Sequence, residues 1–372
     1  MTTDTISYSE VSTFLRCHYK WQLAYPRKID PIVPPLPMLR GTLVHEAYAV
    51  GWLLWAQGSY SEYAHRAAGE AAVRGCKEAC AADEELIALA VRLGVHAFKC
   101  SSFADWRVVE YEGKPLVERR LFVPLPGEAR FSFKPDAVIE RVSDGHRVLL
   151  DLKTRKSLNG QTYLAHDLQS ALYTEALAQL GVHVDAAVHL DMWVQEAKPP
   201  KMLKSGQPST AKNQLLSRES VEQCVQDLAA AGTDVPQATV DKLLEIADGR
   251  VWHHWVEMRA TSNGRTHAWQ AMLTVLRERR RYLPLADVDP RMMLAYDDGP
   301  LGCRGCSYQK WCDTMIAQGA EPLGLIGVLY DCDDPEVRKQ ARKQNIESNA
   351  ALSDSLDRLF AEGRHKKGNE YE

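Results

Sequence analysis

Between Trp106 and Lys153 the chain breaks into short β-prone runs, and this stretch limits its fold more than any other. The runs are Trp106 to Tyr111, Leu116 to Val123, Ala129 to Arg141 and His146 to Asp151, each bounded by Gly or Pro turn signals. Asp144-Gly145 reads as a hairpin turn, because both residue types tolerate left-handed backbone. Ahead of these runs, Gly41 to about Asp105 is rich in Ala and Leu, with breaks near Gly58, Gly75 and Gly94 that predict three helices. After them, His166 to Leu180 returns to helical spacing up to Gly181, and Ala186 to Gln195 is strand-like. Strand, helix and strand in that order predict an α/β fold: a central mixed sheet flanked by helices, with a helical layer before it.

The flanks are read the same way. Val11, Phe14, Leu15, Tyr19 and Leu23 recur at helical spacing, so residues 7 to 25 read as one helix capped by Ser7 or Ser9 and stopped at Pro26. Pro31, Pro34, Pro35 and Pro37 make Asp30 to Pro37 an extended connector. Residues 197 to 218 hold Lys198, Lys201, Lys204, Lys212 and Arg218 without an acidic residue, which reads as a mobile basic loop in a variable insertion over 197–250. Helices are expected near 217 to 231 and 262 to 281, around a strand-like Val251 to Met258. The expected division is a domain over 1–313 and a helical extension over 314–372, with Val337, Ile346, Ala350, Leu356 and Phe360 on one face.

Lys and Arg total 45 against 49 Asp and Glu, a net charge of −4, so any contact with a polyanion must come from a local basic patch. Lys198, Lys201, Lys204, Lys212 and the Arg277 to Arg281 cluster, with Arg277 and Arg280 foremost, are the candidates. The start of the chain carries no basic stretch followed by an apolar one, and the run Ala47 to Ala56 is too short to span a bilayer. A cytoplasmic protein without a membrane partner is expected. Nine cysteines, an odd number, argue against a disulfide framework and for metal ligation or buried thiols.

Two neighbouring β-runs deliver Pro135-Asp136 and Asp151-Leu152-Lys153. Alternate strand residues share a face, so Asp151 and Lys153 point together while Leu152 faces the opposite layer and leaves its carbonyl near the carboxylates. Two carboxylates and a carbonyl suit Mg²⁺ or Mn²⁺. The Lys153 charge can hold a water or a phosphate oxygen during attack on a phosphodiester. His45, in a segment opened by Gly41, is a third ligand, the glycine permitting close backbone approach. Gln169 and Tyr173 lie one helical turn apart and can contact Lys153 or a DNA backbone. Cys303, Cys306 and Cys312 lie around a Gly-rich turn that can wrap a metal centre, and three thiolates need a fourth ligand.

Taken in order, Gly41-x3-His45, Pro135-Asp136, Asp151-x-Lys153 and Gln169-x3-Tyr173 resemble the RecB-like branch of the PD-(D/E)XK nuclease superfamily. The resemblance implies a restriction-endonuclease-like core and a divalent-metal site built from His45, Asp136, Asp151 and Lys153, completed by Gln169 and Tyr173. Glu46 and Glu118 are further acidic residues near this set. The segment Tyr8 to Trp21 is similar to the opening of iron-sulfur members such as the CRISPR-associated exonucleases and the AddB nuclease domain. That similarity implies Cys17 as the fourth ligand, a [4Fe-4S] cluster, and a staple joining the N- and C-terminal parts; the same four cysteines would also suit zinc.

The implied function is a metal-dependent DNA exonuclease acting on single strands or duplex ends in replication, recombination or repair, within a bacterial or phage-infected cell. The alternative is a noncatalytic DNA-end-binding or assembly subunit. The sequence holds no G-x4-G-K-[ST] phosphate loop, so unwinding would need another protein, and a helicase, recombinase or single-strand-binding protein are the expected partners.

Overall fold

Ser7 ends the first strand, β1 (Asp4–Ser7), and starts helix α1 (Tyr8–Arg16), its hydroxyl accepting the Glu10 backbone N–H. In this computed structural model, residues 4–340 are described apart from 33, 77–78, 80, 101–102, 156–166, 194–197, 213, 215, 249–252, 260, 283–302, 304–305, 319–322, 327–328 and 333–336. The single helix expected over 7 to 25 is two. Cys17 adopts extended backbone (φ −157°, ψ 110°), ends α1 and caps α2 (His18–Ala24), its sulfur accepting the Lys20 N–H. The apolar spacing runs straight through this break, so periodicity could not reveal it.

Strand β2 (Ile29–Pro31) precedes three helices, α3 (Leu36–Ala56), α4 (Glu62–Gly75) and α5 (Glu84–Cys100). Helix α3 begins before the expected limit of the connector, because Pro37 lies in its first turn, where the missing N–H has no intrahelical partner to lose. Strands β3 (Trp106–Val108), β4 (Glu110–Tyr111), β5 (Lys114–Pro115), β6 (Leu121–Leu125), β7 (Ala129–Phe133), β8 (Ala137–Arg141) and β9 (Arg147–Arg155) follow. The run Ala129 to Arg141 is therefore two strands in different sheets, divided at Lys134-Pro135-Asp136. Then come α6 (Leu168–Gln179), β10 (Ala186–Trp193), α7 (Arg218–Ala230), α8 (Gln237–Asp248), β11 (His253–Met258), α9 (Ser262–Tyr282), α10 (Gln309–Gln318) and β12 (Tyr330–Cys332). Helix α8 was not expected from the sequence. The expected tail face beyond Val337 lies outside the described residues.

The chain divides into two units. One comprises the described residues up to Met38, Pro124–Ser132 and those from Gln270 onward; the other comprises Leu39–Val123 and Phe133–Trp269.

In the second unit a five-stranded sheet runs in the order β11-β10-β9-β8-β3. It is mixed, as expected: β9 and β10 are parallel and linked through α6, whereas β8–β9, β3–β8 and β10–β11 are antiparallel. Asp144-Gly145 makes the β8–β9 turn, with Gly145 at φ +74°. Apolar residues of β8, β9 and β10, including Ile139, Leu150, Leu152 and Leu190, pack with α3 and α5 residues such as Val44, Trp52 and Phe98 in one buried core. Within the basic segment, the Gln214 side chain accepts the Lys201 N–H and donates to the Ser209 and Ala211 carbonyls.

In the first unit β1 pairs in parallel with β7, and β2 pairs antiparallel with β12. Arg279, expected among surface cations, is buried in an ion cluster with Glu10 and Asp4, and Glu10 also accepts the Trp21 indole N–H at 3.0 Å. Arg280 bonds Asp4 at 3.1 Å and the Gly127 carbonyl at 3.4 Å. Consecutive helix residues point about 100° apart, so the basic run in α9 turns Arg279 inward while Arg277 and Arg280 stay exposed, which a one-dimensional charge count cannot distinguish.

Gly94 does not break the helical layer; it lies inside α5 where α5 meets α3. A Cβ there would stand 2.6 Å from Ala47 Cβ and 2.9 Å from the Tyr48 backbone nitrogen. Gly94→Ala should therefore destabilise the protein by about 1–3 kcal/mol through overpacking, read as a lower denaturant midpoint at unchanged slope.

Candidate functional site

The site forms where the β8–β9 hairpin opens. Ala137 faces Leu150, so Asp136, one residue before β8, comes alongside the end of β9. Its Oδ2 accepts the Leu152 N–H at 2.7 Å, which ties the Pro135-Asp136 turn to the Asp151-x-Lys153 strand. A strand residue's N–H and C=O point to the same edge, so the Leu152 carbonyl also faces this side. The Leu152 side chain is fully buried in the core, as its alternation requires.

Asp151 and Lys153 point together, Lys153 Nζ lying 2.8 Å from Asp151 Oδ2. Helix α6, capped by the Asp167 carboxylate on the Ser170 N–H, delivers Gln169 and Tyr173 one turn apart. Lys153 donates to Gln169 Oε1 at 2.9 Å, and the Gln169 amide donates to Asp151 Oδ1 at 3.4 Å. The Tyr173 ring packs on Phe133 with centroids 5.3 Å apart. Asp136, Asp151, Gln169 and Tyr173 line one recess.

His45 enters from α3. Its Nδ1 is 3.2 Å from Asp136 Oδ2 and 3.2 Å from Glu118 Oε1. Among the described residues, His45, Glu118 and Asp136 are the group whose donor atoms all lie within 4.8 Å of one another. Glu118 holds a left-handed backbone (φ +46°) while its N–H bonds the Pro135 and Asp136 carbonyls at 3.0 and 3.1 Å. Such strain in a non-glycine residue costs ~1–3 kcal/mol and tends to sit at functional positions. Lys134 pairs with the other Glu118 oxygen.

The electrostatics follow from this crowding. Burial alone would depress the His45 imidazole, but Asp136 and Glu118 hold its pKa well above the ordinary histidine value. Burial pushes the Asp136 carboxyl up, against the pull of His45. Glu118 stays below its ordinary value because His45 and Lys134 outweigh its burial. Burial opposes the Lys153 charge, yet Asp151 and Asp136 raise its pKa above that of an ordinary lysine. Burial also raises the Tyr173 phenol, so it stays protonated.

An imidazole nitrogen and converging carboxylates are the donor set of a small hard cation. Asp151 Oδ2 is buried and accepts no aligned hydrogen bond, which leaves it able to serve such an ion. All six residues named from the sequence, His45, Asp136, Asp151, Lys153, Gln169 and Tyr173, meet here. Of the two further acidic residues named from the sequence, Glu118 stands with His45 and Asp136. Gly41 does not serve a close approach: a Cβ there would have Thr154 Oγ1 at 3.6 Å, an ordinary contact.

The four cysteines lie in the first unit, none in a disulfide. Cys17 and Cys306 sulfurs accept backbone N–H groups of Lys20 and Tyr308, each at 3.4 Å. Burial, with Cys306, Cys17 and Cys303 nearby, pushes the Cys312 thiol up to about 12, and burial raises Cys17. Lys198, Lys201, Lys204, Lys212 and Arg277 are exposed.

Residues 5–313 match the profile of the PD-(D/E)XK nuclease superfamily. The chain belongs to this superfamily. Nucleases of the PD-(D/E)XK class use divalent metals, and the His45, Glu118 and Asp136 group of this one is able to bind such an ion. A search of curated proteins returned no match. No helix among the described residues is long and apolar enough to cross a membrane.

The raised pKa values of His45 and Asp136 set a sign. Each favours the folded metal-free protein at low pH, a contribution lost as pH rises through the raised values. A cation at this site must displace the His45 proton, so Mn²⁺ should bind more tightly with rising pH and release protons. Calorimetry at pH 7 in buffers of different ionisation enthalpy checks this; buffer-independent heats would contradict it.

Proposed function

We propose that this nuclease is a RecB-like, iron-sulfur-containing DNA exonuclease that hydrolyses phosphodiester bonds of single strands or duplex ends. The observation that carries this reading is that His45 and Lys153, from separate segments, stand 3.2 and 2.8 Å from Asp136 and Asp151, the two carboxylates that line one recess. His45, Glu118, Asp136, Asp151 and the Leu152 carbonyl would hold Mg²⁺ or Mn²⁺. The bound ion would lower the pKa of a water and offset the negative charge of in-line attack.

The side chains do the rest. Lys153, kept cationic by Asp151 and Asp136, orients the attacking water and a nonbridging oxygen of the scissile phosphate. Gln169 spans Lys153 and Asp151 and keeps both aimed at the recess. Tyr173 closes one wall as a neutral phenol. Exposed Lys198, Lys201, Lys204, Lys212 and Arg277 would guide the phosphate backbone. Arg280 is engaged by Asp4 and contributes less. Unwinding would come from a helicase, recombinase or single-strand-binding partner.

For Cys17, Cys303, Cys306 and Cys312 the reading is a [4Fe-4S] cluster. Burial raises the Cys17 and Cys312 thiols, and ligation to a metal centre would stabilise their thiolates.

With labelled single-stranded DNA and Mn²⁺, wild type should release nucleotides from an end while Asp151→Ala loses at least ~100-fold in rate; equal degradation by both would sink the assignment. Anaerobically purified protein should be brown, Cys17→Ser should lose colour and iron and melt at lower temperature, and Cys224→Ser should keep both. Unchanged iron in Cys17→Ser would refute that ligand.

A further inference from the structure

Strand β10 places a second polar pair directly beside the motif. In the parallel register His189 faces Asp151 and Asp191 faces Lys153, so both share the face of the D-x-K residues. They are almost completely buried, at 1% and 0% exposure, in a strand whose alternate residues Val188, Leu190 and Met192 are apolar. A buried imidazole in a central strand is unfavourable unless its polar atoms are used.

Only one of them is. His189 Nε2 lies 3.2 Å from Asp151 Oδ2, 3.2 Å from Ser170 Oγ and 3.5 Å from Asp167 Oδ2, whereas Nδ1 is buried with no hydrogen-bond partner. Three oxygens around one nitrogen and none around the other favour the proton on Nε2, whose aligned hydrogen bond is with Ser170 Oγ while the two carboxylates stand close by. Asp167 is the N-cap of α6, so the same imidazole touches Asp151 and the helix end that supplies Gln169. Burial opposes ionisation of Asp167, but His189 and Ser170 hold its pKa near about 2, so this cap stays charged.

We propose that His189 is a positioning residue, which locks the Asp151 carboxylate to the N-terminus of α6 so that Asp151 and Gln169 keep one geometry around the cation. This rests on the reading of Asp151 as a metal-binding carboxylate. Gln169 donates to Asp151 Oδ1 on one side and the His189 imidazole stands 3.2 Å from Oδ2 on the other, so loss of the imidazole opens space into which the carboxylate can rotate. Partners that orient a metal-binding side chain typically account for ~10–100-fold in metal affinity or activity.

The test compares wild type, His189→Ala, His189→Gln and Asp151→Ala, with Mn²⁺ affinity measured from the paramagnetic resonance of free Mn²⁺, circular dichroism for folding, and steady-state cleavage of labelled single-stranded DNA. His189→Ala should keep its fold, bind Mn²⁺ ~10–100-fold more weakly and lose kcat at unchanged KM for DNA. His189→Gln, whose amide can donate from a similar reach, should recover most of both. Wild-type Mn²⁺ affinity in His189→Ala, or a folded His189→Gln as defective as the alanine variant, would overturn the proposal. If the alanine variant fails to fold, His189→Gln decides alone: near-wild-type Mn²⁺ binding supports the proposal and weak binding refutes it. Wild-type Mn²⁺ affinity in Asp151→Ala would refute the ligand reading itself, and an inactive wild type the nuclease reading, while the Mn²⁺ comparison still judges His189.

Discussion

The 2.7 Å hydrogen bond from the Leu152 N–H to the Asp136 carboxylate is the interaction on which the site depends. It sits at the open end of the β8–β9 hairpin, where ladder pairing has ended and a side chain takes over from a backbone carbonyl. One carboxylate oxygen thereby satisfies a buried amide while standing 3.2 Å from His45. A one-residue slip of β8 against β9 would move Asp136 away and turn Asp151 and Lys153 into the apolar core. Burial of Leu150 and Leu152 opposes that slip, so the hydrophobic layer and the polar site specify the same register.

Around that bond the charges nearly balance, and the balance is local. Lys153 answers Asp151, Lys134 answers Glu118, and His45 stands between Glu118 and Asp136. A cation entering here meets carboxylates already gathered, so the repulsion of assembling them is met during folding and not at binding. Part of that folding cost is visible as the left-handed backbone of Glu118, which its two bonds to the Pro135 and Asp136 carbonyls hold in place. The second unit thus carries a site of oxygen and nitrogen donors, and the first a set of free thiols.

Much of this was legible in one dimension, for physical reasons. The period-2 runs and the Asp144-Gly145 turn gave the β8–β9 hairpin, because alternation and turn chemistry are local properties. The pair Asp151 and Lys153 shared a face for the same reason, and Gln169 and Tyr173 shared a helix turn. What failed was what locality does not encode. The run Ala129 to Arg141 keeps β propensity through Lys134-Pro135-Asp136, so only pairing partners reveal that it serves two sheets. Cys17 interrupts a helical repeat without disturbing its spacing, and Gly94 looks like a helix stop but is a contact point with Ala47. Arg279 and Arg280 look like surface charge until Glu10 and Asp4 arrive from the far end of the chain.

By itself, then, the sequence determined the α/β class and the strand and helix that present Asp151, Lys153, Gln169 and Tyr173, since each follows from spacing, propensity or turn chemistry over a few residues, whereas grouping His45 and Asp136 with them was what the family resemblance implied. Only the tertiary structure decided that Glu118 stands beside His45 and Asp136, that His189 lies 3.2 Å from Asp151, and which basic side chains face outward. Those depend on which strands become neighbours and in what register, and that is settled by burying a shared core of residues far apart in the chain.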